Sequence, residues 1–168
     1  RGKILDRNGV ALADNRPRYD VCLYLEDMRK SFAAEYDARY KHITNSLRMQ
    51  RDAKRAALGR DLTKEELRTF RVTLDQRKEI SRQARLAVAN AFTADLCQKL
   101  QTTLALDVKR FTNHASTTPY QPFPVMQDLQ PQQVARFQEQ FAGMPGVDLE
   151  MQTIRTYPLG TTAAHLLG

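Results

Sequence analysis

The middle of the chain carries apolar residues three or four positions apart, which is the spacing of an amphipathic helix. The first helix predicted in this way stops near Gly59, because glycine favours helix ends. Its apolar stripe consists of Phe32, Tyr36, Tyr40, Ile43 and Leu47.

A second helix is predicted from a local start signal. Thr63 can cap it and Glu66 can reach back to complete a capping box, while Leu62 and Leu67 form a hydrophobic staple. Its register weakens over residues 77–85, so the next apolar set starts either another helix or a continuation with a change of face. That set consists of Leu86, Ala89, Phe92, Leu96 and Leu100. We therefore expect a long helical hairpin followed by a shorter packed helix.

The two ends of the chain have the features of strands. Asn8-Gly9 predicts a tight hairpin turn whose two positions both take positive φ, with a return strand over 10–13. Pro17 then opens a second stretch that ends in a half-buried strand around Val21.

Near the other end, an extended segment over 120–126 precedes a helix that starts at Pro131, followed by a strand over 147–156 and one helical turn within 160–168.

Strands at both ends with helices between them indicate an α+β fold. We predict a β-rich anchor subdomain made of residues 1–26 and 143–168. Residues 27–142 are predicted to form a mainly helical head subdomain.

Composition and charge narrow the class of protein. The 168 residues are 42% hydrophobic and 27% charged, with a net charge of +7, which fits a globular chain that prefers anionic partners. No apolar run reaches the length of a membrane helix, and two cysteines exclude a disulfide scaffold. Sixteen Lys and Arg against eight Asp and Glu fall within residues 29–85, so the excess positive charge belongs to the predicted helical insertion, residues 27–85.

Searches for catalytic and metal-binding patterns return nothing. No Ser-x-x-Lys, Ser-x-Asn or Lys-Thr-Gly motif occurs, and His42, His114 and His165 stand far from other ligands. The acidic pair Glu26-Asp27 fits helix capping better than acid–base catalysis, and Cys22 and Cys97 fit packing better than pairing. We predict no catalytic, cofactor-binding or metal-binding residue.

Motifs at the two ends together resemble the class B penicillin-binding proteins. The start follows the pattern Arg1-Gly2-x-Ile4-x-Asp6-Arg7-Asn8-Gly9-x-x-Leu12-Ala13, which is similar to the family's first signature. The end carries Pro145-Gly146-Val147, then Arg155-Thr-Tyr-Pro158-Leu-Gly160, then Ala163-Ala-His-Leu-Leu-Gly168, in the family's order. The resemblance covers residues 1–25 and 86–168, whereas the helical insertion departs from the family pattern. Gln130 also departs from it as a poor helix cap.

The resemblance implies the non-catalytic pedestal, or dimerisation domain, of an elongation-type peptidoglycan transpeptidase. The class A alternative needs Glu-Asp-x-x-Phe, and the spacing after Glu26-Asp27 is wrong for it. The implied partners are the parent's C-terminal transpeptidase domain, a SEDS-family glycosyltransferase, a rod-shape scaffold protein and a second copy. The implied location is the periplasmic face of the inner membrane, on an anchor outside this sequence. Because the sequence lacks an initial Met and a signal segment, we expect it to be a piece of a longer protein.

The motif residues also have a mechanical interpretation. Arg1, Asp6, Arg7 and Arg155 are candidates for a charge network that ties the first hairpin to the last strand, with Gly2 and Gly9 in the hairpin. Pro158 and Gly160 would then shape the exit toward the next domain.

The basic insertion has a separate interpretation as a surface for an anionic or protein partner. Its candidate residues are Arg48, Arg51, Lys54 and Arg55. Two alternatives stay open: a stand-alone periplasmic adaptor with the pedestal fold, and a nucleic-acid-binding helical module. The latter is disfavoured because aromatic side chains do not alternate with the basic run.

Overall fold

A computed structural model describes residues 2–160 of the chain. In chain order its elements are β1 Ile4–Leu5, β2 Ala11–Leu23, α1 Arg29–Leu58, α2 Lys64–Arg68, α3 Leu74–Leu100, α4 Val108–Thr117, β3 Phe123–Met126, α5 Pro131–Phe141 and β4 Val147–Thr156. Helices in the middle and a small antiparallel sheet from both ends confirm the α+β prediction.

The chain divides into two compact units. The strand unit contains the residues up to Tyr24 and the described residues from Pro122 onward, whereas the helical unit is Leu25–Gln121. The second boundary therefore falls before β3, and α5 belongs to the strand unit, whereas the sequence analysis placed the boundary at residue 143. Helix α5 has an apolar face, on which Phe137 and Phe141 are buried. Such a helix must pack against a sheet or another helix, which explains why α5 is part of a compact unit with the strands.

Strand β2 organises the strand unit. It pairs antiparallel with β4 over its whole second part, from Asp14 opposite Thr156 to Leu23 opposite Val147. Its other side pairs with β1 near Ala13 and with β3 near Val21. The sequence analysis divided this region at Pro17, but the structure continues β2 through it. Proline is tolerated here because no described strand pairs with that other side of β2 around Pro17.

The last part of β2 is buried on both faces, which the prediction of a half-buried strand missed. Val21 and Leu23 are fully buried, and so are Asp20 and Cys22, which point to the opposite face. Neighbouring elements therefore cover both sides of the sheet at this point.

The helical unit is built on the hairpin of α1 and α3. Arg77 of α3 lies over the ring of Tyr40 in α1, 5.6 Å from its centroid, so the first turn of α3 meets the middle of α1. The part of α1 from residue 44 to Leu58 therefore continues for about 20 Å beyond the start of α3, at 1.5 Å per residue. None of the residues of α1 is buried, and the predicted apolar stripe is half-buried along the hairpin.

Helix starts in this unit follow the side-chain chemistry of their caps. Thr63 and Glu66 form the predicted capping box, and Gly59 ends α1 at φ +60° as expected. A second capping box, Thr73 with Gln76, starts α3, which the sequence analysis did not identify. The predicted second helix is therefore interrupted, because α2 ends at Arg68 and α3 starts at Leu74. From there α3 is continuous to Leu100, so of the two alternatives at residues 77–85 the structure shows the continuation. The core of the unit gathers on the second half of α3 around Leu96.

Helix α4 was missing from the sequence analysis, whereas the elements that follow were confirmed. Asp107 caps α4 by accepting the N–H of Arg110. Strand β3, the Pro131 start of α5 and strand β4 lie where the sequence placed them. At the start of α5 the side chain of Gln133 accepts the N–H of Gln130, which offsets the poor cap expected there.

Candidate functional site

The turn between β1 and β2 is held by Asp6. Its carboxylate accepts the N–H groups of Asn8 and Val10, both at 2.8 Å, and its own N–H donates to the carbonyl of Val10. Gly9 takes φ +80°, whereas Asn8 is not left-handed, so the turn is a three-residue loop with a left-handed glycine rather than the two-residue turn predicted. Asp6 is therefore a turn residue, and Arg7 lies exposed at the turn.

Arg155 of β4 joins the two family-like motifs. Its guanidinium donates to the carbonyl of Gly2 and to the side-chain oxygen of Asn15, the latter at 3.3 Å. Beside it, Lys3 and Asp14 form an ion pair at 3.0 Å, and the N–H of Asn15 holds the pKa of the Asp14 carboxyl below its ordinary value, with Lys3 adding to the effect. The structure thus brings Arg155 to the first hairpin through a backbone carbonyl, not through Asp6.

The remaining motif residues fall into two groups. Pro158 and Gly160 lie in an exposed turn after β4, in which the N–H of Gly160 donates to the carbonyl of Tyr157 and Gly160 takes φ +60°. Arg1 and the expected helical turn within 160–168 lie outside the described residues, apart from Gly160 itself.

A buried carboxylate that the sequence analysis left without a role holds the strand unit together. Asp20 is fully buried, accepts the N–H of Asp128 at 3.0 Å, and receives the guanidinium of Arg18 at 2.7 Å. The guanidinium of Arg16 donates two hydrogen bonds of 2.7 Å to the carboxylate of Asp128 and thereby lowers the pKa of that carboxyl. Asp128 takes φ +58°, so these contacts hold a strained turn in front of α5. The sequence carries no signal for this burial, because in the predicted half-buried strand Asp20 alternates with Val21 and falls on the polar face.

Cys22 lies on the same face of the sheet as Asp20, and its thiol is not activated as a nucleophile. Burial, with the carboxylates of Glu150, Asp20 and Asp148 contributing, raises the pKa of the Cys22 thiol to about 12. The hydroxyl of Tyr24 donates to Glu150 at 2.7 Å, which raises the pKa of Tyr24 to about 12. Both groups stay protonated at neutral pH, so this face lacks an activated nucleophile.

The four cations of the predicted anionic surface have acidic neighbours of their own. Arg51 and Arg48 both reach Asp52, at 2.8 Å and 4.0 Å, and the charge of that one carboxylate is shared between them. The other contacts are those of Lys54 to Glu66 at 3.6 Å and of Arg55 to Asp61 at 2.6 Å. These pairs tie the end of α1 to the segment that follows it, so part of the predicted positive surface is neutralised within the hairpin.

His114 and Glu26 make contacts that support the helices next to them. The two ring nitrogens of His114 bond to the carbonyl of Gln121 at 2.9 Å and the hydroxyl of Thr118 at 3.1 Å, so the ring holds the end of α4 to the turn that follows it. His42 is exposed on α1, and His165 lies outside the described residues. Glu26 forms an ion pair with Arg29 at the start of α1.

Within residues 2–160, no group of three or more His, Cys, Asp or Glu side chains is placed to hold a metal ion. In the same range, no helix combines the length and apolar character needed to span a bilayer.

The first hairpin lies beside the last strand, so the motifs from the two ends of the chain meet in the fold. The chain matches the family model of the Penicillin-binding Protein dimerisation domain over residues 1–168. The chain therefore belongs to this family, whose domain serves as a non-catalytic pedestal or dimerisation module of a penicillin-binding protein. A search of curated proteins found no match.

Proposed function

We propose that this domain is the pedestal of a class B penicillin-binding protein of the elongation type. In this proposal the parent chain is tethered to the inner membrane, lies in the periplasm and carries a serine-type transpeptidase domain after the pedestal. The domain positions that enzyme during cell-wall elongation and docks the glycosyltransferase and scaffold proteins of the same machinery.

The observation that supports this proposal most is the contact of Arg155 with the carbonyl of Gly2. It fastens the second family-like motif to the first, next to the long β2–β4 pairing. A domain that passes force or position between its neighbours in the chain needs such a stiff connection, because separately moving ends would transmit neither. The absence of Ser-x-x-Lys from the sequence fits a supporting role.

The catalytic part of the proposal is tested with a fluorescent penicillin. The parent protein should take up one covalent label, whereas the 168-residue chain should take up none. A parent reading frame that ends soon after Gly168 without a Ser-x-x-Lys motif would instead support a stand-alone adaptor.

The elongation part is tested by depleting the parent protein in the cells that encode it. Loss of an elongation enzyme should make rod-shaped cells round, with less new wall along their sides. Filaments of normal width would contradict the elongation assignment and leave the pedestal role in place.

A further inference from the structure

A cavity lies between α3 and α4 in the helical unit. Its volume is ≈ 380 Å³, which falls in the range of small-molecule sites. Its apolar lining comes from Leu86 on α3 and from Phe111 and Ala115 on α4. We call this cavity, with its cationic rim described next, the α3–α4 groove.

Positive charge follows one wall of the α3–α4 groove. Lys78, Arg82 and Arg85 line it at intervals of four and three residues, so they lie on one face of α3. No described Asp or Glu lines the cavity.

Two of these cations are held in place. The Glu79 carboxylate accepts hydrogen bonds from Nε and Nη2 of Arg82 at 2.8 Å and 2.6 Å and offsets its charge, so Arg82 brings hydrogen-bond donors rather than a full positive charge to the rim. The carbonyl of Ala115 accepts a hydrogen bond from Arg85 at 3.2 Å, and a neutral carbonyl leaves the charge of Arg85 in place. The ammonium of Lys78 lies 3.9 Å from the carboxylate of Asp75, and both side chains are more than four-fifths exposed, so this pair is weak.

A hydroxyl without a partner lines the same cavity. The Oγ1 atom of Thr112 is buried and has no hydrogen-bond partner among the described residues. Such an atom offers one donor and two acceptor positions to a bound molecule.

The hydrogen bond of Arg85 to Ala115 also limits the length of the groove. Both residues line a neighbouring cavity of ≈ 260 Å³, so the contact lies where the two cavities adjoin. The α3–α4 groove is therefore a short, apolar space with cations at its rim, which suits one chain better than a lipid with two.

We propose that the α3–α4 groove binds a single-chain amphipathic anion. The apolar chain lies against Leu86, Phe111 and Ala115, and its carboxylate or phosphate meets Lys78 and Arg82. This assignment is independent of the transpeptidase proposal, since it rests on the helical unit alone.

The experiment titrates the 168-residue chain with three ten-carbon probes that differ only in charge: decyl phosphate, decanol and decyltrimethylammonium. Binding is followed by the NMR shifts of the Leu86 and Ala115 methyl groups, below the concentration at which the probes form micelles. Decyl phosphate should bind about 10-fold more tightly than decanol, because a charge-assisted contact adds to the same apolar burial. The cationic probe should bind most weakly.

Variants separate the rim from the apolar space. Lys78→Gln with Arg82→Gln should remove the preference for the anion and leave decanol binding unchanged. The control, Lys30→Gln with Lys41→Gln, removes two exposed cations from α1 and should change neither. Ser81→Leu and, from the other wall, Ser116→Leu should each weaken all binding more than 5-fold by filling the space, with thermal unfolding confirming that each variant folds.

The proposal is overturned if decyl phosphate leaves both methyl shifts unchanged, or if decanol binds equally well. It also fails if the control pair weakens the anion as much as the rim pair. Binding to phosphatidylglycerol vesicles without a response to free decyl phosphate would replace the single-chain ligand with a membrane surface. None of these results bears on penicillin labelling of the parent.

Discussion

Asp20 is the side chain on which the strand unit depends most. It is charged and fully buried, and its two oxygens serve two different partners, the Arg18 guanidinium and the Asp128 N–H. Losing it leaves the Asp128 N–H without this acceptor. The partly buried Arg18 guanidinium keeps only a neutral acceptor, the side-chain oxygen of Gln152 at 2.7 Å, in place of a carboxylate, which is the costly way to break such a network.

We therefore expect Asp20→Ala to lower the free energy of unfolding by about 3 kcal/mol. Urea denaturation of the variant measures this directly. Glu139→Ala, an acidic residue exposed on α5, is the matched control and should change stability by less than ~0.5 kcal/mol. A loss below ~1 kcal/mol for Asp20→Ala would mean that Gln152, the other acceptor of Arg18, satisfies the guanidinium without the carboxylate.

The two cysteines should differ sharply in reactivity. The pKa of Cys22 is raised to about 12, so its reactive thiolate is scarce at pH 8, and the side chain is buried as well. Cys97 is partly exposed, with its Sγ 3.5 Å from the carbonyl of Leu104. A disulfide-exchange reagent at pH 8 should modify one thiol quickly in the native chain and the second only after unfolding. In Cys97→Ser the fast phase should disappear, and its persistence would show that Cys22 is accessible.

At the scale of single elements, α2 depends most on its cap. It has five residues, none of them buried, so little packing replaces the bonds at its start. Glu66 makes these bonds: it accepts the N–H of Thr63 at 2.9 Å and the guanidinium of Arg60 at 3.0 Å.

The pH dependence of α2 follows from the same carboxylate. The hydrogen bonds from Arg60 and from the Thr63 N–H lower the pKa of Glu66 from 4.5 to about 2. A lowered pKa stabilises the folded element above pH 4.5, and that stabilisation is lost as the pH falls toward 2. We expect NMR titration to place the Glu66 midpoint near pH 2, with α2 amide protection lost in the same step. In Glu66→Gln this step should vanish; a midpoint near 4.5 in the native chain would contradict the contacts.

Several helix ends could be predicted from the sequence because the residues that form them act locally. Thr63 with Glu66, Gly59 and Pro131 mark helix ends through backbone chemistry that needs no distant partner. Helix α3 was harder to predict as one helix because its apolar pattern changes along its length. Its first turns are exposed, whereas its buried residues start at Ile80. Helix α4 carries Val108, Phe111 and Ala115 at helical spacing behind a capping Asp107, so its signal was present in the sequence and was overlooked.

The sequence predicted the candidate site residues that belong to a family-like motif and missed those that do not. That Arg155 would meet the first hairpin followed from the paired motifs, but its acceptor, a backbone carbonyl, leaves no mark in a sequence. The Asp20–Asp128 contact joins residues 108 positions apart and depends on the folded register of β2. The α3–α4 groove depends on α4, which the sequence analysis did not identify.

At the scale of the whole molecule, Arg155 is the test of the link between the two ends of the chain. Arg155→Ala removes its bonds to Gly2 and Asn15 beside the β2–β4 pairing. We expect a loss of about 1–2 kcal/mol, seen as a fall of a few degrees in Tm. Arg7→Ala, an exposed cation of the same motif, is the control and should leave Tm within about 1 °C. Equal Tm values for both variants would remove the proposed mechanical role of Arg155.

The pairing of β2 with β4 has a consequence for the order of folding. Leu23 lies opposite Val147, so the sheet cannot close until Val147 has left the ribosome. Residues 25–121 form a compact unit whose segments are complete much earlier, and such a unit folds first during synthesis. Strand β2 therefore keeps an unpaired edge while the helices assemble. During that time Asp20, which is buried in the folded domain, is exposed to water. A stall or truncation before residue 147 would release a chain with folded helices and an open strand, the form most prone to aggregation.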